Sequence, residues 1–395
     1  MKNVSIKPKA GIQKYMGPIS VGAVMFAAYV GPGFASGTQT VAFFLTKGWI
    51  GVFLGPIVAS IICFAVSLCL LEINRIYKPK DYRQQYDTIY RFKPLQFIVS
   101  NVKEIGTIMA ALISIAAQIS AAAILFQDLW NIPIVIGTIG FSAVIMIFAL
   151  RGANILRLMG TALTLCILGV CIYIAALGIG PAWEGMSQFV TARTQPETFG
   201  FTHTVAWFTM ISFSLFLLAG SDGAIPASVG VLKTRKDVLI SAITNAILAL
   251  ASTLVFTIVF ASGMPEIQNE SIPTMWAIRN IIGGGKITQV LYAILAISAM
   301  LSTGIVLIFT ITNRLQVPLG KVWKNSSEFS RKFVVALSFV ILCTVGSSFG
   351  ILNIVRYGFT YVSLIMTPVV FLPVLVAVPY RLWKDKKDGT LPLDD

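Results

Sequence analysis

Apolar residues along the chain fall into ten long, continuous runs separated by polar segments. The runs cover approximately residues 17–46, 49–74, 95–127, 132–150, 155–179, 203–231, 237–262, 286–313, 333–348 and 351–380. A bilayer core takes roughly 20 apolar residues per helix, and the runs are unbroken rather than alternating. The pattern therefore predicts an all-α polytopic membrane protein with about ten transmembrane helices. Most connectors are short. Two are longer, 180–202 and 263–285, and both fall on the same side. In the second, Ser271-Ile-Pro-Thr followed by Met275–Ile282 predicts a short helix begun at Ser271 and ended by Gly283-Gly-Gly. The polar segment Asp81–Phe92 on the other side is either a short surface helix or an ordinary connector.

Composition excludes the soluble alternatives. Of 395 residues, 56% are hydrophobic and 12% charged, with mean hydropathy +0.83. Soluble domains carry roughly 25% charged residues. The first run follows Lys2, Lys7, Lys9 and Lys14 as in a signal peptide, but it is too long and lacks a small-residue cleavage site, so a retained helix is expected. Lys and Arg set the orientation. The N-terminus, segments 75–94, 151–157, 232–236 and 314–332, and the tail after Tyr380 hold 24 of the 30 basic residues. The opposite side holds only Lys47, Arg193, Arg279 and Lys286. Both termini are thus expected in the cytoplasm, with the chain in the plasma membrane. The +14 net charge belongs to the anionic inner leaflet, which removes nucleic acid as a partner. A single histidine, His203, excludes most metal and histidine-base chemistry. The five cysteines lie inside apolar runs as small core residues.

The expected organisation is a cytoplasmic segment 1–16, a five-helix repeat 17–179, an external loop 180–202, a second five-helix repeat 203–380 and a tail 381–395. Two runs are interrupted. The first contains Val30-Gly-Pro-Gly-Phe-Ala-Ser-Gly37, and the sixth Leu218-Ala-Gly-Ser-Asp-Gly-Ala-Ile-Pro226. Proline removes a backbone donor and glycine weakens a helix. Either break alone could be a kink or a site of close packing. Five spans apart, they occupy corresponding places in two oppositely oriented halves, the sequence pointer to a transporter site. In lipid, non-helical backbone survives where it lines a cavity.

The sequence resembles, in its ten spans with breaks in spans 1 and 6, the LeuT fold of the amino acid–polyamine–organocation superfamily, a 5+5 inverted repeat. Val30–Gly37 followed by Phe43-Phe44 resembles the opening motif of the permease family of bacterial YkvI-type membrane proteins. That family's pattern carries a Gln-Glu pair after the last glycine; here Thr38-Gln39 stands, without the acid.

Around the first break, Gly31, Gly33, Phe34, Ala35, Ser36 and Gly37 offer amides at the start of a half-helix, where the positive dipole end suits a carboxylate. In span 6, carbonyls near Leu218, Ala219 and Gly220 suit an ammonium. Asp222 is the one acid near mid-membrane, and an unpaired charge there costs at least ~2.5 kcal/mol on insertion scales. Its roles are a substrate ammonium partner, a coupling-proton carrier or a helix cap. Phe213, Phe216 and Gln118 are further candidates to line the site, with core packing as the plainer fate. An anion site facing a cation site matches a zwitterion such as an amino acid. The resemblance further implies a sodium site formed by carbonyls of Ala27, Val30 and Ala299 and hydroxyls of Ser302 and Thr303. Backbone capping within the helix is the alternative for those hydroxyls. Lys103, about 12 Å inside span 3 at 1.5 Å per residue, either snorkels or joins Glu72 and Glu104 in an inner gate. Arg356 is either an external gate residue or an interfacial anchor.

The function expected is secondary active transport of a small solute, an amino acid or related zwitterion, probed against two alternatives. These are a proton-coupled permease using Asp222 and a non-transporting small-molecule receptor; a channel would need a filter-like repeat that is absent. An enzyme is not expected, because Gly220-Ser-Asp-Gly223 has no second membrane aspartate to share a proton. No cofactor is expected beyond a sodium coupling ion. The partners expected are the small-molecule substrate and the lipid bilayer.

Overall fold

The computed structural model describes residues 15–29, 32–80, 82–150, 153–193 and 230–392. The expected sixth span lies almost wholly outside the described residues. The first span is divided into α1 (Met16–Tyr29), α2 (Pro32–Ala35) and α3 (Thr38–Phe43), followed by a 3-10 turn at Leu45–Lys47. Then come α4 (Ile50–Tyr77), α5 (Tyr82–Ile89), α6 (Lys93–Trp130), α7 (Ile134–Leu150) and α8 (Ala153–Thr191). The second half contributes α9 (Arg235–Ala261), α10 (Pro273–Asn280), α11 (Lys286–Val322), α12 (Glu328–Ser347) and α13 (Ile351–Lys387). Seven of the described helices are long and apolar enough to cross a membrane; α1 and α7 are shorter apolar helices.

Local chemistry explains several boundaries. The Thr234 hydroxyl accepts from the Asp237 amide at 3.2 Å while the Asp237 carboxylate accepts from the Thr234 amide at 2.8 Å, a reciprocal cap that starts α9. Segment 180–202, expected as a loop, is helical as far as Thr191. Ala182, Met186 and Phe189 continue a buried stripe at helical spacing, and that burial outweighs the interruption by Pro181. The short helix expected from Ser271 begins two residues later, at Pro273. Ser271 does not cap it: Pro273 is the first helical residue, which puts Ile272 at the N-cap, and no side chain caps the helix. Segment 81–92 is a surface helix over Tyr82–Ile89, held by buried Gln85, Tyr86 and Ile89. In α13, π-helical turns occupy Ile354–Phe359 and Thr367–Phe371; Pro368 removes a donor at the second.

The helices pack in two groups. α1, α4 and α9 form one, with α9 against both others. α6, α7, α11 and α12 form the second, and α8 touches α9 and α11. Gly22 lets α1 approach α9 closely, since a Cβ there would sit 2.5 Å from the Ser241 carbonyl oxygen. Ser241 in turn donates to the Pro18 carbonyl at 2.8 Å. Polar bonds also tie α9 to α4: Asn245 Nδ2 donates to Ser67 Oγ at 3.1 Å, and Thr257 Oγ1 to the Val52 carbonyl at 2.8 Å. The α2–α3 limb of the broken span reaches across to α6 and α11 in the second group.

Candidate substrate and ion site

In the first span α1 ends at Tyr29 and α2 begins at Pro32, and Ser36 and Gly37 turn the chain before α3. Gly37 has φ 82°, the left-handed region that a Cβ disfavours. A Cβ there would also lie 2.5 Å from Phe260 Cε2.

Each carbonyl from Gly33 to Ser36 has a donor. Ser36 Oγ donates to Gly33 at 3.2 Å, and the Gly37 amide to Phe34 at 2.9 Å. The Tyr292 hydroxyl of α11 donates to Ala35 at 2.9 Å, and the Thr274 amide of α10 to Ser36 at 2.9 Å. Thr38 Oγ1 returns a bond to the Ser271 carbonyl at 3.2 Å. Thus three bonds from the chain's second half hold the limb beyond the break, as backbone removed from water requires. Ser36 and Thr38 are fully buried in consequence. The Gly37 amide, and that of Thr38 at 3.4 Å from Ser36 Oγ, are spent inside the turn.

Phe34 and Ala35 face Ala296 and Ala299 of α11 and Phe256 of α9 across a cavity of about 10 Å³. That is room for at most one water. Phe34 and Phe256 meet edge to face, with ring centroids 4.9 Å apart. The break and the expected ion-binding stretch of α11 are therefore neighbours. Thr303 Oγ1 donates to the Ala299 carbonyl at 3.1 Å. Ala27 lies in α1 and Ser302 in α11. Val30 and Gly31 lie outside the described residues, as do Phe213, Phe216, Ala219, Gly220 and Asp222.

Near the break, the side-chain amides of Gln118 and Gln39 keep a carbonyl oxygen without a donor, as do those of Asn74, Gln85, Asn245 and Gln316 elsewhere among the described residues. Gln118 donates Nε2 to Ser114 Oγ at 3.2 Å, while its Oε1 faces Gly304 of α11. Gln39 Oε1 is likewise unmatched, and its side chain fills the space a Cβ on Gly33 would take. An unmatched buried acceptor calls for a donor or cation. In the sequence Gln39 stands out only as occupying the place where an acid is expected, not as a site candidate.

The expected gate residues go to separate partners. Glu72 pairs with Arg75 at 2.8 Å on its own helix. Glu104 takes a two-pronged bond from Arg314 at 2.6 and 3.0 Å. Lys103 does not snorkel: it is 1% exposed, its ammonium 5.5 Å from the Tyr86 ring centre and 5.3 Å from that of Phe371. On the same side, the buried carboxylate of Asp385 gathers the Tyr77 hydroxyl, Arg91 and Arg381, a hub not expected from the sequence. Near the opposite end, Arg356 lies in the first π turn of α13, within electrostatic reach of Lys47. Burial, then Arg356, lowers the Lys47 ammonium to about 8. Among the described residues, no three His, Cys, Asp or Glu side chains gather as a metal site.

No protein-family model and no curated protein matches the sequence. Solved structures do. The chain is similar to a manganese transporter of Eremococcus coleocola at TM-score 0.63 and 18% identity, covering 99% of this chain and 84% of that one. It is similar to a sodium-coupled sialic acid symporter in a substrate-bound outward-open state at TM-score 0.56 and 15% identity, over 95% and 82% of the two chains. MhsT in complex with L-phenylalanine aligns at TM-score 0.54 and 17% identity, over 92% and 87%. Together with the divided first span and the two helix groups, these likenesses show that the chain adopts the LeuT fold.

Proposed function

We propose that this protein is a secondary active transporter of a small zwitterionic solute, an amino acid or close relative, that works by alternating access with sodium as the coupling ion. The observation that carries the proposal is the divided first span, whose far limb is held by Tyr292, Thr274 and Ser271 from the second half. Those three bonds can break and re-form while each helix group stays intact, as rocking of one group against the other requires. In this reading the helix start at the first break takes the carboxylate, without the Gly37 and Thr38 amides, which are bonded inside the turn, and carbonyls expected near Gly220 in the sixth apolar run take the ammonium. Asp222 then faces the ammonium, or stands as the proton carrier in a sodium-independent mechanism.

Thr303 Oγ1 donates to the Ala299 carbonyl at 3.1 Å, the backbone bond that the alternative expects; in this proposal one small cation takes both oxygens together. Oxygen donors without formal charge suit a monovalent hard cation. Ala27, Val30 and Ser302 complete the proposed set. The similar sialic acid symporter is sodium-coupled, and the similar MhsT binds L-phenylalanine. The same proposal places both termini in the cytoplasm, the chain in the plasma membrane, and its kinship with the YkvI-type permeases. Purified protein should bind a radiolabelled amino acid in sodium chloride and lose that binding in choline chloride. Equal binding in both salts removes sodium from the proposal.

A further inference from the structure

A cavity of about 620 Å³ opens between the end of α6 and the segment leading into α10. Three ionised side chains line it: Asp128, Glu270 and Arg279. Arg279 forks onto Asp128, with Nη1–Oδ1 3.1 Å and Nη2–Oδ2 2.6 Å, and its Nε donates to Gln289 Oε1 at 2.9 Å. The two charged side chains are 37% and 35% exposed, so solutes in the cavity reach both. An ion pair this exposed is weakly held and screened by salt. Glu270 has no ion-pair or side-chain hydrogen-bond partner among the described residues.

The same short segment closes the first break. Ser271, next to Glu270, accepts from Thr38, and Thr274, five residues before Arg279, donates to Ser36. Thr274 and Arg279 lie on the same short helix, α10, so the contact with the break and the ion pair are carried by one element.

We propose that this cavity is an entry site for a solute carrying both an ammonium and a carboxylate, and that the Asp128–Arg279 pair is the latch such a solute opens. The solute's carboxylate takes the Arg279 fork in place of Asp128, and its ammonium is met by Glu270. Arg279 and Glu270 then face the solute's anion and cation one to one. A simple anion would face two carboxylates, and a simple amine would leave the latch closed. Planar two-pronged exchange is the recognition that arginine favours.

This inference rests on the transporter proposal for the solute's destination, and its test separates the two. Full-length protein bearing Asn280→Cys would be labelled with an environment-sensitive dye and titrated in sodium with each of the twenty amino acids, acetate and methylamine. At least one amino acid should give a saturable signal, whereas acetate and methylamine should not. Arg279→Gln and Glu270→Gln should each raise the half-saturating concentration about tenfold. Asp128→Asn should lower it several-fold, because a competitor for the fork is gone. These opposite signs distinguish a latch from a mere loss of folding. No saturable signal with any amino acid, or a signal indifferent to Arg279→Gln, overturns the entry site. Uptake without a cavity signal overturns the entry site and leaves the transporter standing. A saturable signal without uptake keeps the site and removes the transporter.

Discussion

Tyr292 on α11 donates its hydroxyl to the carbonyl of Ala35 in the broken first span at 2.9 Å. One hydrogen bond thus joins the second helix group to the limb that must move if the site opens toward α10. Removing the hydroxyl leaves a buried carbonyl short of its donor, at a cost of about 1–3 kcal/mol to the closed arrangement. Tyr292→Phe should therefore shift the population toward the state open on the α10 side. A cysteine replacing Ala35, which is 5% exposed, reports it. Its modification by a membrane-impermeant thiol reagent should accelerate several-fold in the Tyr292→Phe background. An unchanged rate would show that the bond does not hold the limb.

Gly37→Ala should destabilise the protein even though one methyl is added. The left-handed backbone costs roughly 1–2 kcal/mol for a residue with a Cβ, and that Cβ would press on Phe260. The melting temperature in detergent should fall by several degrees. A neutral substitution would mean that the turn re-forms in another conformation.

Much of this was legible in the sequence because it depends on local composition. Long apolar runs mark the spans, and Pro32 with its flanking glycines marks the break to within a few residues. The partners of the break were not legible. Tyr292 lies 257 positions from Ala35, and nothing in its neighbourhood distinguishes it from an interfacial aromatic. Glu104 likewise finds Arg314, 210 positions away, rather than a residue close in the chain. Such pairings follow from how helices cross, and helix periodicity does not encode crossing. Lys103 shows the same limit: its depth in span 3 was readable, but the rings of Tyr86 and Phe371 around it were not.

Lys47 should make stability depend on alkaline pH. Its ammonium is lowered from 10.5 to about 8 by burial and by Arg356. Between those values the unfolded chain holds a proton that the folded chain has released, so stability rises as pH increases from about 8 to 10.5 and is lost again on the way down. The melting temperature should climb across that window more in the parent than in Lys47→Met. Parallel curves for the two proteins would show that Lys47 is protonated alike in both states.

Asp222→Asn should impair solute binding or uptake while leaving expression and monodispersity intact. In the sequence Asp222 stands within the sixth apolar run, between Gly220 and Pro226, where neutralising a carboxylate is expected to relieve a desolvation cost. Radiolabelled uptake and size-exclusion profiles measured on the same preparation separate the two effects. Full uptake in the mutant would reduce Asp222 to a helix cap.

Sodium-driven flux is the central claim. Purified protein in liposomes should accumulate an amino acid under an inward sodium gradient and lose that accumulation when choline or potassium replaces sodium. Ser302→Ala and Thr303→Ala should each raise the sodium concentration for half-maximal uptake, because each removes one proposed oxygen ligand. An ion biases the conformational equilibrium only by binding its states unequally, so weaker binding must appear as weaker coupling. Accumulation that follows a pH gradient and ignores the replacement of sodium would contradict sodium coupling, and the absence of any flux would contradict transport itself.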